Sequence, residues 1–229
     1  MAEKTQVQHV DPNQAVIAKA KDFWTRNSKV LIISAVAVIV LGGGYLGYKY
    51  LYKAPEEAKA GDYIYKAEEY YRMDSVRLAL NGDGLNAGFL KVISRYGGTE
   101  EGNLARFYAG DCYLKLGDNA NAIKYLKQFS TKSKMVQARA YKLLGDAYAD
   151  QANNNEAFDY YKKAAGYFEE DDNNTPEYLF IAGYFADKVL KNNSEAISLF
   201  KKLKEKYPNS TRGLEADKYL AQLGVYKAD

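Results

Sequence analysis

The sequence predicts an all-α protein, with a single N-terminal transmembrane helix followed by a solenoid of paired helices. An uncharged stretch near the N-terminus is long enough to cross a bilayer, and apolar residues recur at helical spacing through the rest of the chain. The sequence also repeats itself, with 35 residues from Gly110 to Gly145 and 38 from Gly145 to Gly183. Repeats of this length that contain two helices are typical of solenoids.

The predicted membrane span is the uncharged stretch Val30 to Tyr48, which Lys29 and Lys49 bound. At about 1.5 Å per helical residue it covers roughly 28 Å, close to the hydrocarbon thickness of a bilayer. A cleaved signal peptide is the alternative, but its apolar core is shorter, about 7 to 15 residues, and follows a short basic segment. We therefore predict an uncleaved anchor.

Positive charge near the two ends of the span predicts its orientation. Four basic residues precede the span and three follow it: Lys19, Lys21, Arg26 and Lys29, against Lys49, Lys53 and Lys59. Basic residues are enriched on the cytoplasmic side of membrane helices. The small excess predicts a cytoplasmic N-terminus, with the large C-terminal domain outside the cytoplasm.

Two glycines within the span have the spacing of a helix-packing motif. Gly43 and Gly47 are four residues apart and lie on one face of the predicted helix. Small residues at this spacing allow another membrane helix to approach closely. The pair is a candidate contact with a membrane partner.

The pattern divides the chain into four parts. Residues 1–29 form a cytoplasmic head with an amphipathic interfacial helix, and residues 30–48 form the transmembrane helix. Residues 49–98 are a membrane-proximal helical pair, a degenerate repeat with a long helix from Pro55 to Leu80, a turn at 81–84 and a second helix at 86–96. Residues 99–229 hold repeats at about 99–133, 134–174 and 175–209, followed by a closing helix at 210–225.

Composition excludes several classes of function for the large domain. Residues 54–229 carry twenty-five basic and twenty-six acidic side chains, so the basic face needed to neutralise phosphates is missing and nucleic acid is a poor partner. Cys112 is the only cysteine and His9 the only histidine, and the predicted membrane separates them. A His–Cys zinc site or a Ser–His couple cannot be built in the domain. We predict no catalytic site, metal, cofactor or small-molecule substrate, and treat Cys112 as a small buried apolar residue.

The middle repeat has a specific motif. Tyr141-x-x-Leu144-Gly145-x-x-Tyr148 is followed by Ala157-x-x-x-Tyr161 and by Ala164. This resembles the tetratricopeptide repeat, in which small residues let the two helices of a pair approach and aromatic residues fill the space between pairs. The first and third repeats match in part, with Arg106 at the bulky first position of one and Ala186 in place of the tyrosine of the other.

The order of the parts resembles the YfgM-like ancillary subunits of the bacterial SecYEG translocon. Lys21-Asp22-Phe23-Trp24 and Asn27-Ser28-Lys29, before the span, and the glycine-rich exit from Gly42 to Tyr50 carry the resemblance. It implies a single-pass protein of the bacterial inner membrane with a periplasmic tetratricopeptide domain. It also implies protein partners, namely translocon subunits, periplasmic chaperones or unfolded client chains.

The tetratricopeptide resemblance further implies a binding groove lined by the first helix of each pair. Ten residues are placed there: Leu104, Phe107, Asp111, Lys115, Arg139, Lys142, Asp146, Phe180, Tyr184 and Asp187. A groove that clamps a C-terminal carboxylate pairs a basic residue with Asn, but Asp146 stands near Lys142 and would repel that ligand. A binder of extended segments therefore fits better.

Two other classes of function remain open at this point. A scaffold for an envelope-assembly or division complex would hold a fixed protein partner in the same groove. A membrane-bound enzyme subunit is the third class, which the missing catalytic residues disfavour.

Overall fold

The computed structural model describes residues 12–226, and helices make up its secondary structure apart from one isolated bridge between Gly82 and Ala87. The predicted fold class, all-α with paired helices, is confirmed. The chain divides into two compact units at Pro55. The first part of the predicted head, including His9, lies outside the described residues.

The N-terminal unit contains the helix α1, Pro12–Gly47, followed by a short π-helical segment, Tyr48–Lys53. Asn27 lies within α1, and its side-chain amide donates to the carbonyl of Phe23 at 2.9 Å. The described residues contain one helical stretch that is long and apolar enough to span a membrane, and none of its apolar window is buried. A Cβ atom added at Gly43 or Gly47 would meet nothing within 4 Å.

The larger unit begins with α2, Ala54–Arg72, α3, Val76–Asn81, and α4, Phe89–Tyr96. The predicted continuous helix to Leu80 is wrong at Met73–Ser75, where Asp74 has φ of 54° and the Ser75 N–H donates to the Tyr70 carbonyl. Aspartate tolerates this left-handed conformation better than most residues. Helix α4 also begins three residues later than predicted.

The three helix pairs and a last helix follow in order. They are α5, Glu100–Lys115, with α6, Asn119–Lys127; α7, Lys134–Asp150, with α8, Asn154–Tyr167; α9, Thr175–Lys188, with α10, Asn193–Lys206; and α11, Thr211–Gln222. Side-chain oxygens of Thr99, Asp118, Asn192 and Ser210 accept from backbone N–H groups in the first turns of α5, α6, α10 and α11. These caps satisfy donors that a helix leaves unpaired at its start.

Glycines at equivalent positions bring the two helices of each pair together. A Cβ atom at Gly110 would lie 2.5 Å from Cγ of Leu126, and one at Gly145 would lie 2.5 Å from the Tyr161 ring. At Gly183 the distance to the Phe200 ring would be 3.0 Å. Ala157 and Ala164 are fully buried, so the close packing predicted for the middle repeat is confirmed.

Candidate protein-binding groove

The ten predicted groove residues all lie on the first helices of the pairs, α5, α7 and α9, but their exposure differs. Phe107, Asp111, Phe180 and Asp187 are buried. Leu104, Lys142 and Asp146 are partly buried, and Lys115, Arg139 and Tyr184 are exposed. The side chains that remain available to a partner are therefore a subset of the predicted lining.

At the N-terminal end of the groove, charged side chains are held within the domain. The Tyr71 hydroxyl on α2 donates a hydrogen bond to the Asp111 carboxylate. Burial and this carboxylate raise the pKa of Tyr71. The Lys115 ammonium lies 3.0 Å from Oδ1 of Asp74 and 4.8 Å from the centre of the Tyr71 ring. Asp111 and Lys115 are thus already engaged inside the protein.

In the middle of the groove, Lys142 and Asp146 form an ion pair. Nζ of Lys142 is 2.7 Å from Oδ2 of Asp146, and the Tyr161 hydroxyl donates to Oδ1 of the same carboxylate at 3.1 Å. Burial raises the pKa of Asp146, while Lys142 and the tyrosine act against that rise. The two opposite charges largely cancel here, so neither offers a free charge to a ligand.

Arg139 stands apart from these satisfied groups. Its side chain is exposed, and its guanidinium carbon lies 5.6 Å from the centre of the buried Phe107 ring. Its positive charge opposes the rise in pKa that burial causes at Tyr71, Tyr108 and Tyr178. Among residues 12–226, no carboxylate oxygen lies within 4.0 Å of it. The candidate groove therefore presents one guanidinium without an ion pair, beside the Phe107 ring.

The C-terminal end of the groove is aromatic. Tyr184 is 44% exposed, and its ring stacks at 6.0 Å on Phe180 and meets Tyr219 of α11 edge-on at 6.3 Å. The Arg212 guanidinium lies 3.9 Å from the Phe180 ring centre and binds both carboxylate oxygens of Glu177, at 2.7 and 3.1 Å. This arrangement fixes α11 against α9 and leaves one face of Tyr184 accessible.

Two tyrosines that contact Asp111 and Phe107 of the predicted lining, at positions 71 and 108, were missed by the sequence analysis. Tyr71 belongs to α2, in the segment predicted as a degenerate repeat, and only the folded chain brings it against Asp111. Tyr108 directly follows Phe107, which was predicted to line the groove. A small rotation of the predicted helix face, by one residue, would have included Tyr108. Helical spacing identifies a face but not its rotation to within one residue.

A cleft borders the groove beside Leu104. It has a volume of about 730 Å³, and Leu104, Phe129 and Val136 form its apolar part. Asn103 closes one side, because its side-chain amide donates to the Ser130 carbonyl at 2.8 Å. The cleft joins the first helices of two neighbouring pairs and could receive an apolar side chain.

Side chains capable of other chemistry have structural roles. In the part of the chain that the structure describes, no group of three or more His, Cys, Asp or Glu side chains could hold a metal ion. Asp171, in the loop between α8 and α9, accepts from the backbone N–H groups of Asn173 and Asn174. Cys112 is fully buried, and burial raises the pKa of its thiol to about 12, so the thiolate needed for nucleophilic chemistry does not form near neutral pH.

The sequence comparison identifies the repeats. A family model described as a tetratricopeptide repeat matches residues 104–133 and 177–210. Each of these two segments carries a tetratricopeptide repeat. The matched segments are in the first and third helix pairs, whereas the tetratricopeptide-like motif noted in the sequence lies in the middle pair. Repeats of this type are protein-interaction modules.

Comparison with solved structures agrees on the fold. A crystal structure from Podosopora anserina, described as a kinesin light chain with nearly identical TPR-like repeats, matches with a TM-score of 0.56 and 12% identity. The match covers 73% of this chain and 85% of that chain. At this identity the similarity is one of fold. The comparison with curated proteins found no match.

Proposed function

We propose that this protein is a membrane-anchored module whose groove binds extended segments of other proteins. The observation that carries the proposal is the state of the groove side chains: Asp111, Lys142 and Asp146 are engaged within the domain, whereas Arg139 and Tyr184 are exposed. A surface with one guanidinium and accessible aromatic rings suits a segment that has an acidic residue and apolar side chains.

The finer proposal concerns location and partners. We propose that α1 crosses the bacterial inner membrane, with the repeats in the periplasm, and that the protein is ancillary to the Sec translocon, passing emerging chains to periplasmic chaperones. The basic residues before the span and the resemblance of 21–24 and 27–29 to the YfgM-like subunits support this proposal. The open Gly43 and Gly47 face is a candidate contact for a translocon helix.

In-cell photocrosslinking tests the groove. A photoreactive amino acid would replace Arg139, Lys142 or Tyr184 in the full chain at native level, with Lys91 and Lys201, both exposed and on other helices, as control positions. We expect the groove positions to capture translocon subunits, periplasmic chaperones or many different emerging chains, and the controls to capture none of them. Equal capture at the control positions would contradict a specific groove.

The same experiment separates the two kinds of partner. Capture of one stoichiometric envelope-assembly protein from all three groove positions would replace the translocon proposal by a dedicated scaffold. Loss of capture after Gly43→Leu and Gly47→Leu, with the groove unchanged, would assign the membrane contact to the glycine face.

A further inference from the structure

A second surface, formed by residues other than the ten groove positions, combines stacked tyrosines with exposed lysines. Tyr113 of α5 stacks on Tyr125 of α6, with ring centres 5.5 Å apart and an angle of 5° between the rings. Tyr148 of α7 stacks on Tyr160 of α8 in the same way, at 5.5 Å and 9°. We call these four residues, with Lys124, Lys127 and Lys163, the tyrosine–lysine surface.

The two tyrosine pairs occupy equivalent positions in the first two repeats. Tyr113 and Tyr148 each lie three residues after the central glycine of the first helix, and Tyr125 and Tyr160 each lie three residues after the first buried alanine of the second helix. The third pair has Ala186 and Leu199 at these positions, and both are buried. Since the third pair packs without the stacked tyrosines, the fold itself does not require them.

Lysines connect the two stacks into one surface. Nζ of Lys127, on α6, lies 5.3 Å from the ring centre of Tyr148 on α7. Nζ of Lys163 lies 5.9 Å from the Tyr160 ring centre and 4.1 Å from that of Tyr141. Lys124 lies 5.2 Å from the Tyr125 ring centre. The ammonium groups are therefore held above aromatic rings at the protein surface.

None of these three lysines forms an ion pair in the part of the chain that the structure describes. The neighbouring Lys162 is 3.8 Å from Glu195. By contrast, within residues 12–226 no carboxylate oxygen lies within 4.0 Å of Lys124, Lys127 or Lys163. The pKa of Lys127 is raised first by its interaction with the Tyr148 hydroxyl, against the effect of burial, and last by the charge of Glu156, with which it forms no ion pair.

The tyrosine hydroxyls also differ from those of the core. Tyr71, Tyr161 and Tyr207 donate to carboxylate or carbonyl oxygens within the protein. Over the described part of the chain, the hydroxyls of Tyr113, Tyr125 and Tyr160 have no such protein acceptor. These donors, together with the three ammonium groups, are available to an acceptor from outside.

We propose that the tyrosine–lysine surface docks an acidic segment of a partner protein, with carboxylates at the lysines and apolar side chains against the tyrosine rings. Because the three lysines are positively charged, charge complementarity favours a partner segment with negative charge. A protein segment fits better than a lipid surface, because the tyrosines are stacked and only partly exposed and offer no protruding apolar group for insertion. The surface shares no residue with the proposed groove and gives the module a second contact.

Binding of a defined peptide tests this proposal. The probe is a fluorescent peptide of three Asp-Phe-Glu-Ala units with both ends blocked, added to the full-length protein in nanodiscs of neutral phosphatidylcholine. Three substitutions, Lys124→Gln, Lys127→Gln and Lys163→Gln, remove the charges without changing the tyrosines. We expect the combined variant to weaken binding about tenfold, since each exposed charge contributes modestly.

A matched control removes the same charge elsewhere. Lys91→Gln, Lys191→Gln and Lys201→Gln change exposed positions outside the surface, and we expect this combined variant to bind the peptide within about twofold of the original. The corresponding Asn-Phe-Gln-Ala peptide should bind to the unchanged protein about tenfold more weakly or worse, because it lacks the carboxylates.

Several results would overturn the proposal. They are absence of binding to the unchanged protein, equal weakening by the two lysine variants, and equal binding of the amide peptide. Binding of anionic phosphatidylglycerol vesicles that depends on these lysines, with no peptide binding, would assign the surface to the membrane instead. Binding lost in Arg139→Gln but kept in the Lys124, Lys127 and Lys163 variant would place the peptide in the groove and leave only the groove proposal standing.

Discussion

Single glycines determine how closely the two helices of a pair approach. Gly110, Gly145 and Gly183 occupy equivalent positions, yet the room around them differs, because Leu126, Tyr161 and Phe200 face them in turn. A tyrosine ring held by its hydrogen bond to Asp146 has little freedom to move aside. The glycine at this repeat position therefore contributes differently to stability in each of the three pairs.

We expect Gly145→Ala to lower the free energy of unfolding by about 1–2 kcal/mol. The added Cβ would lie 2.5 Å from two atoms of the Tyr161 ring, and overpacking of this kind costs roughly 1–3 kcal/mol, offset in part by the better helix propensity of alanine. Thermal unfolding of the full chain in detergent, followed by circular dichroism, measures the change.

Two other glycines provide matched controls. Gly183→Ala should cost less, because its nearest atoms lie at 3.0 to 3.2 Å. Gly61→Ala, in α2 with nothing within 4 Å, should stabilise the protein by up to about 1 kcal/mol. If all three substitutions had the same effect, close approach at Gly145 would not be the reason for its glycine.

At the scale of elements, the loop between α8 and α9 is tied to α10 through polar contacts. Glu169 binds the ammonium of Lys202 at 2.6 Å and also that of Lys206, both on α10. The Tyr207 hydroxyl donates to the Glu169 backbone carbonyl at 2.6 Å. The loop, which contains the acidic run Glu169-Glu170-Asp171-Asp172, is thus a folded connection between consecutive repeats.

We expect Glu169 to make stability depend on pH in the acid range. The two lysines lower the pKa of Glu169 from 4.5 to about 2. The unfolded chain therefore binds a proton more readily, so the contribution of Glu169 is present above about pH 4.5 and is lost as the pH falls towards 2. Glu169→Gln should lower stability at neutral pH and flatten the loss in the acid range in denaturant titrations.

Glu170→Gln is the control for this substitution. Glu170 is exposed and lies 3.9 Å from Lys134, so its removal should leave the acid dependence nearly unchanged. Equal flattening in both variants would mean that general charge, and not the Lys202 and Lys206 contacts, causes the dependence.

At the scale of the whole molecule, an exposed apolar helix accompanies a domain with its own buried core. No part of the apolar window in the N-terminal unit is buried, whereas Phe89, Leu179 and Phe200 of the larger unit are almost entirely buried. Long exposed apolar helices are unfavourable in water. The N-terminal unit therefore has the length and apolar composition of a candidate membrane span, and paired helices form the rest.

We expect the full chain to resist extraction from membranes by alkaline carbonate, with N- and C-terminal tags on the same chain. Val36→Lys with Ile39→Lys should release it, because each central lysine costs about 2.5–3.5 kcal/mol on insertion. Val16→Lys with Ile17→Lys, outside the span, is the control and should leave the chain in the membrane. Detection of a soluble chain without the N-terminal tag would identify a cleaved signal in place of an anchor.

Local sequence patterns were sufficient for the fold class and for the pairing of helices in the repeats. The uncharged stretch after Lys29, the helical spacing and the repeated Gly–Ala positions each act within one helix or between two adjacent helices. Such short-range features are visible in the chain itself, because helix formation and the approach of neighbouring helices depend on nearby residues. The break at Asp74 was missed because nothing at that point departs from helical spacing.

The exposure and charge neutralisation of the predicted binding residues depend on the tertiary structure. Sequence spacing placed Phe107, Asp111 and Phe180 on the groove helices, but contacts with Phe129, Tyr71 and Arg212 bury or engage them. Arg139 and the two tyrosine stacks became recognisable only once neighbouring pairs were in place. The sequence by itself determined the helices and their order, because these depend on local periodicity, whereas exposure and charge neutralisation depend on residues distant in the chain.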